Sequence, residues 1–151
     1  MTTQSPAKPL SPDQNTVHDA VLAWFLQRED KAQILTLGGY AGTGKTTVIA
    51  QIVASIHALP IEGAEAGDRV RIGFCCFTGK ASLILRTKLE RAEVLIDSDY
   101  CGTIHGMIYM PQKGQDGKIK WVRRPHLDLD LIVLDEASMV DETLLNDLKS
   151  Y

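Results

Sequence analysis

Residues Gly39-Tyr40-Ala41-Gly42-Thr43-Gly44-Lys45-Thr46 fit the pattern of a glycine, four variable positions and Gly-Lys-Thr. Such a loop cradles nucleotide phosphates. Its glycines let successive backbone N–H groups converge on phosphate oxygens, and the following helix adds its positive end. The expected nucleotide-binding residues are Gly39, Gly42, Thr43, Gly44, Lys45, Thr46 and Thr47. Lys45 would reach the β- and γ-phosphates, and the Thr46 hydroxyl would hold Mg²⁺. A second centre follows the apolar run Leu131–Leu134, which ends in Asp135-Glu136. A buried strand ending this way delivers two carboxylates to the carboxyl edge of a sheet, where open α/β proteins bind ligands. Asp135 is then the Mg²⁺ carboxylate, and Glu136 orients and deprotonates a water for attack on the γ-phosphate. Alone, an Asp-Glu pair could simply cap the next helix; well downstream of a phosphate loop it reads as a Walker B element. A switch-type GTPase would show Asp-x-x-Gly here, whereas this chain has Asp135-Glu136-Ala137-Ser138.

These groups need elements to hold them. Ser11-Pro12-Asp13-Gln14 reads as a helix start: Ser11 caps, Pro12 takes the first turn and Gln14 completes a capping box. Val17, Val21, Trp24 and Phe25 continue it at helical spacing to about Arg28. Ile34–Leu37 is a short β-type run leading into the phosphate loop, and a helix apolar on most sides runs from Lys45 to about Leu59. Glu62 to Asp68 is a Gly-containing acidic loop, and Val70–Phe77 reads as a strand inside a parallel sheet. A helix from Lys80 to about Ala92 would turn Leu83, Ile84 and Leu89 inward and Arg86, Lys88 and Arg91 outward. Met107–Met110 and Lys118–Val122 flank Lys113-Gly114-Gln115-Asp116-Gly117, which signals a hairpin. Leu131–Leu134 is a third buried strand, and Asp141 opens a last helix. Strands alternating with helices give an α/β fold with a parallel sheet, interrupted by one hairpin.

Composition narrows the classes. At 151 residues, 44% apolar and 23% charged, the chain is long enough for one domain with its own core. It lacks a run of 18 apolar residues, so no membrane span is expected. Residues 1–9 read as a flexible lead-in without a signal-peptide core. The three cysteines, Cys75, Cys76 and Cys101, form neither a disulfide framework nor a paired metal knuckle, which suits a reducing cytoplasm. Cys75 and Cys76 should point to opposite faces of a strand as packed thiols. The spacing His126-x-Asp128-x-Asp130 fits alternate residues of a solvated strand better than a metal site. Net charge is −3, but its distribution is uneven. Lys113, Lys118, Lys120, Arg123 and Arg124 oppose only Asp116, whereas Pro125 to Asp147 holds seven acids and no Lys or Arg.

The phosphate loop, Phe77-Thr78-Gly79-Lys80-Ala81-Ser82, Gly102-Thr103-Ile104-His105-Gly106 and Asp135-Glu136-Ala137-Ser138-Met139-Val140-Asp141 occur in an order that resembles superfamily 1B helicases of the RecD-like and Dda-like branch. These are ATP-driven motors that move 5′ to 3′ on single-stranded DNA. The resemblance covers residues 10–148 and implies a RecA-like parallel sheet flanked by helices. It implies that residues 10–151 are the N-terminal part of helicase domain 1A, incomplete at its C-terminal side. It implies ATP and Mg²⁺ as cofactors and single-stranded DNA as partner. By the same resemblance Thr78 and Lys80 correspond to motif Ia, and Thr103 and His105 to motif Ic, which line the DNA track. A surface lysine at a helix start remains the alternative for Lys80, and a loop histidine capping a turn that for His105. Gln14 matches a family glutamine whose amide reads the adenine edge, with its capping-box role as the alternative. The segment 107–124 corresponds to a small insertion that acts as a duplex-splitting pin. Trp121 would then stack on a base, or else pack on the sheet.

Motif III, a second RecA-like domain and its arginine finger do not follow Asp141 in this sequence. The chain therefore reads as the N-terminal part of a longer motor, a truncated gene product or a fragment, inactive as a motor alone. A P-loop nucleotide-binding or interaction module without motor work is the competing class. A small-molecule kinase is disfavoured by Asp135-Glu136.

Overall fold

Five consecutive residues, Ile72 to Cys76, are buried without exception, and the fold is organised around them. The computed structural model describes residues 9–27, 34–40, 42–61, 65 and 67–151. Its elements are α1 (Pro12–Leu26), α2 (Lys45–His57), β1 (Ile72–Cys76), α3 (Gly79–Arg91), β2 (Tyr100–Thr103), α4 (Ile104–Ile108), β3 (Tyr109–Lys113), β4 (Ile119–Arg123), β5 (Leu131–Leu134), a 3-10 turn (Ala137–Met139) and α5 (Glu142–Lys149). The lead-in up to Lys8, Ala41 of the phosphate loop and part of the acidic loop lie outside the described residues.

β1 is the middle strand of a parallel sheet ordered β2-β1-β5. Its alternation divides the core in two. Ile72, Phe74 and Cys76 join Phe25, Val53, Ile56, Leu85 and Leu89 on the face covered by α1, α2 and α3. Cys75 joins Ile104, Met107, Ile108, Leu144 and Leu148 on the face covered by α4 and α5. The two adjacent cysteines thus point to opposite faces, as read from the sequence. Gly73 is needed on the second face, because a Cβ there would stand 2.6 Å from Leu129 Cδ1 and 2.9 Å from Met107 Sδ.

Four expectations need correction. Ile34–Leu37 forms no strand; Ile34 and Leu35 are exposed, and among the described residues nothing pairs with them. A strand exists only through its ladder. β5 is half-buried rather than buried, and among the described residues it pairs on one side only, with β1. On α3 the inward stripe is Ser82, Leu85 and Leu89, which leaves Leu83 and Ile84 exposed. Met107 belongs to a one-turn helix, because the Thr103 hydroxyl accepts from the Gly106 N–H at 3.1 Å and starts α4 there. The hairpin ladder therefore begins at Tyr109 and resumes at Ile119.

At the amino edge of the sheet one carboxylate ties several segments together. Asp99, with 1% of its side chain exposed, accepts from Ile72 N–H at 2.9 Å and from Ile96 N–H at 3.1 Å. It also lies 3.3 Å from His57 Nε2 at the end of α2. Arg71 engages both Asp128 and Asp130 nearby, so these acids form an ion-pair cluster, on a segment that is not the solvated strand expected. Buried donors left without an acceptor cost about 1–3 kcal/mol each. Asp99→Ala is therefore expected to lower unfolding free energy by about 3–5 kcal/mol, and Asp99→Asn by less; urea denaturation of the two variants checks this.

Candidate nucleotide site and carboxyl edge

The phosphate loop is folded onto itself. Gly42 and Gly44 both have φ of +81°, the left-handed backbone that turns their N–H groups inward. The Lys45 ammonium donates to the carbonyls of Gly39 at 2.7 Å and Tyr40 at 2.9 Å. Thr43 Oγ1 donates to the same Tyr40 carbonyl at 2.8 Å. Ser11, Thr78, Thr103 and Asp141 each cap a helix with a side chain, but the N-terminus of α2 at Gly44 has no side-chain cap. Uncapped N–H groups, inward-turned glycines and a lysine held by weak acceptors suit a polyphosphate. Thr46 and Thr47 lie on the first turn of α2 beside them.

Gln14 connects α1 to this loop. Its Oε1 accepts from Ser11 N–H at 3.0 Å, completing the capping box. Its Nε2 donates to the Thr43 carbonyl at 3.1 Å. The packing is tight, since a Cβ on Gly44 would stand 2.7 Å from Gln14 Nε2. The capping role is thus real, and the same amide reaches the phosphate loop.

The carboxyl ends of the three parallel strands meet along one edge. β5 delivers Asp135, whose N–H continues the ladder to the Cys75 carbonyl at 3.0 Å. Asp135 Oδ1 accepts the Glu136 N–H at 2.9 Å. Glu136 has φ of +55°, a conformation costing a non-glycine residue of order 1–3 kcal/mol and found where function fixes a side chain. β1 delivers Thr78 and Lys80, and β2 delivers Thr103 and His105. An open pocket of about 250 Å³ holds Thr78, Lys80, Asp135 and Glu136 together, with Ile84 and Lys88 of α3 completing its wall. The helical stripe Lys80-Ile84-Lys88 was the available signal for those last two, masked by the expectation that Ile84 is core. No phosphate-loop residue lines this pocket. Thr78 Oγ1 accepts from Ala81 N–H at 3.2 Å and caps α3, so both threonines hold helix starts. The exposed His105 ring lies 6.4 Å from Phe77 and 5.7 Å from Tyr109. Beneath the carboxylates the Cys76 thiol is pushed up to about 11 by burial, then by the Asp135 charge. It is no nucleophile. Trp121 on the hairpin is 68% exposed and does not pack on the sheet.

Residues 25–150 match the AAA domain family. The chain belongs to that family. This AAA domain is also similar to the RecBCD enzyme subunit RecD from two strains of Mycobacterium tuberculosis, each 33% identical over 122 residues, covering 74% of this chain and 20% of the relative. The RecD subunit of Buchnera aphidicola subsp. Schizaphis graminum is 28% identical over 127 residues, 78% of this chain and 20% of its own. The chain spans about a fifth of the length of these relatives. They support the RecD-like resemblance and an ATP-binding, helicase-like AAA domain. Among the described residues no helix is long and apolar enough to cross a membrane.

Removing the Gln14 amide breaks both of its bonds. Gln14→Ala is expected to weaken α1 by about 1 kcal/mol, as lost caps do, and to lower nucleotide affinity. Titration with a fluorescent ATP analogue beside thermal melting separates the two effects.

Proposed function

We propose that this chain is the nucleotide-binding N-terminal part of an ATP-dependent DNA helicase that moves 5′ to 3′ on single-stranded DNA. One observation carries the reading: a single carboxyl edge gathers Asp135 and Glu136 with Thr78 and Lys80, and adds Thr103 and His105 from the neighbouring strand. Hydrolytic carboxylates and small hydroxyls suited to phosphate contacts thus share one surface. Such contacts position a strand without reading its sequence.

In this reading Gly39, Gly42, Thr43 and Gly44 wrap the phosphates with their backbone, and Lys45 leaves the Gly39 and Tyr40 carbonyls for the β- and γ-phosphates. Gln14 releases the Thr43 carbonyl to read the adenine edge, while Thr47 closes the first turn of α2. Thr46 and Asp135 hold Mg²⁺; their hydroxyl and carboxylate oxygens are the hard donors this ion takes. When bound, the ion neutralises charge developing on the transferred phosphoryl group. Glu136 orients a water and accepts its proton on a carboxylate oxygen as the water oxygen bonds to the γ-phosphorus. The bond to the β–γ bridging oxygen breaks, and ADP leaves. Thr78, Lys80, Thr103 and His105 hold the DNA backbone. An arginine finger is worth 10³–10⁵ in rate; without one, the chain alone would bind nucleotide weakly at best and neither turn it over efficiently nor unwind DNA. The β3–β4 hairpin splits the duplex, with Trp121 stacking on a base.

Lys45→Ala is expected to abolish ATP binding, whereas Glu136→Gln keeps binding and cuts hydrolysis about 10²–10⁴-fold, the usual weight of a general base. DNA-stimulated ATPase in a longer protein carrying this chain checks both, and unchanged turnover in Lys45→Ala would overturn the assignment. In the same protein, replacing Gly114–Gly117 by a two-residue turn should reduce strand separation while sparing the ATPase. Trp121→Ala should weaken single-strand binding by ~1–3 kcal/mol; equal loss of unwinding and ATPase in the turn variant argues against a pin.

A further inference from the structure

Among the acids after Pro125 that the nucleotide chemistry does not use, Asp147 joins the last helix to the hairpin. Tyr109 and Arg123 oppose each other at the root of the hairpin ladder, and both reach Asp147 of α5. Tyr109 Oη donates to Asp147 Oδ2 at 2.5 Å. Arg123 Nη1 lies 3.5 Å from Oδ1, and its Nη2 donates to the Asp147 carbonyl at 3.3 Å and to the Ser150 hydroxyl. The guanidinium also sits 5.0 Å over the Tyr151 ring. Tyr151 Oη in turn donates to the carbonyls of Ile108 and Arg124, the residues just outside the two strands. Both hairpin roots are therefore held by the end of one helix. That helix starts at the Asp141 cap, immediately after the turn that follows Glu136. Beyond the root, Lys113, Lys118, Ile119, Lys120 and Trp121 are all exposed.

We propose that Asp147 is the positioning residue that sets the angle of the hairpin to the carboxyl edge, so that the hairpin and the arm carrying Asp135 and Glu136 meet a nucleic acid as one rigid body. The use of this clamp rests on the hairpin's proposed contact with DNA; the clamp itself does not. Charge placement agrees with it. Asp147 pairs with Arg123 at the root, while Lys113, Lys118 and Lys120 at the far end face a single acid, Asp116.

The chain has two tryptophans, so Trp24→Phe leaves Trp121 as the sole reporter. In that background Asp147→Ala should lower the fluorescence anisotropy of Trp121, with Asp147→Asn intermediate and far-ultraviolet circular dichroism unchanged. A second readout is specific to the contact. The Asp147 hydrogen bond holds the Tyr109 phenol above its ordinary value of 10, so in Asp147→Ala the Tyr109 titration followed by ¹³C-tyrosine NMR should move down towards 10. Unaltered anisotropy together with an unaltered titration overturns the clamp. Should Asp147→Ala fail to fold, Tyr109→Phe removes only the hydroxyl and must still loosen Trp121. Binding to a labelled DNA fork separates clamp from use. If the Gly114–Gly117 replacement leaves fork affinity unchanged, the hairpin's DNA role fails while the clamp stands on its spectroscopy. If that replacement weakens fork binding and Asp147→Ala, with Trp121 loosened, does not, the positioning role is overturned.

Discussion

Parallel hydrogen bonding of β1 on both of its sides is the constraint on which the rest of this domain depends. It lets a strand with no exposed residue pair on both edges while both faces are covered, with the Ile72 N–H taken up by Asp99. It also fixes direction. Because β2 and β5 run the same way as β1, residues far apart in sequence leave the sheet at one edge, and Asp135 extends that ladder by one further bond to Cys75. An antiparallel neighbour would have sent Thr103 or Glu136 to the opposite end. Burying side chains such as Ile72 and Phe74 contributes roughly 1.5–3 kcal/mol each, so the apolar run that stabilises the sheet also aims its chemistry.

Much of this was legible in the sequence, for identifiable reasons. The phosphate loop, the Ser11–Gln14 capping box, the Asp141 cap and the turn from Gly114 to Gly117 are local devices, and each is observed where the residue types place it. The inner place of β1 in a parallel sheet was legible too, but several features that a neighbour decides were not. Ile34–Leu37 has strand composition but no ladder, and β5 has an apolar run but half-buried sides. Leu83 and Ile84 are apolar residues on a helix whose inward stripe passes one residue away from them. Asp147 had no signal beyond belonging to an acidic stretch, because its partners stand 24 and 38 positions away.

The phosphate loop and α1 form a second, smaller unit of constraint. Three donors converge on the Tyr40 carbonyl, two from Thr43 and one from Lys45, and Gln14 holds the Thr43 carbonyl. The loop is thereby kept in the curled form that its glycines permit, with a lysine whose present acceptors are neutral. The bonds made by Thr43 hold the curl independently of Lys45, and under the proposed function the ammonium would exchange two neutral carbonyls for phosphate oxygens of opposite charge.

The adjacent cysteines of β1 have a consequence for how such a domain meets oxidants. Peroxide attacks the thiolate, and a thiol yields to it only in proportion to its ionisation and access. Cys75 is pushed up to about 12 and Cys76 to about 11, and both are fully covered. Their side chains also diverge to opposite faces of the strand, so neighbours in sequence cannot join without tearing the ladder that carries Asp135. A raised pKa and full cover both disfavour the thiolate, so this adjacent pair serves the strand beneath the carboxylates as packing and not as a redox couple.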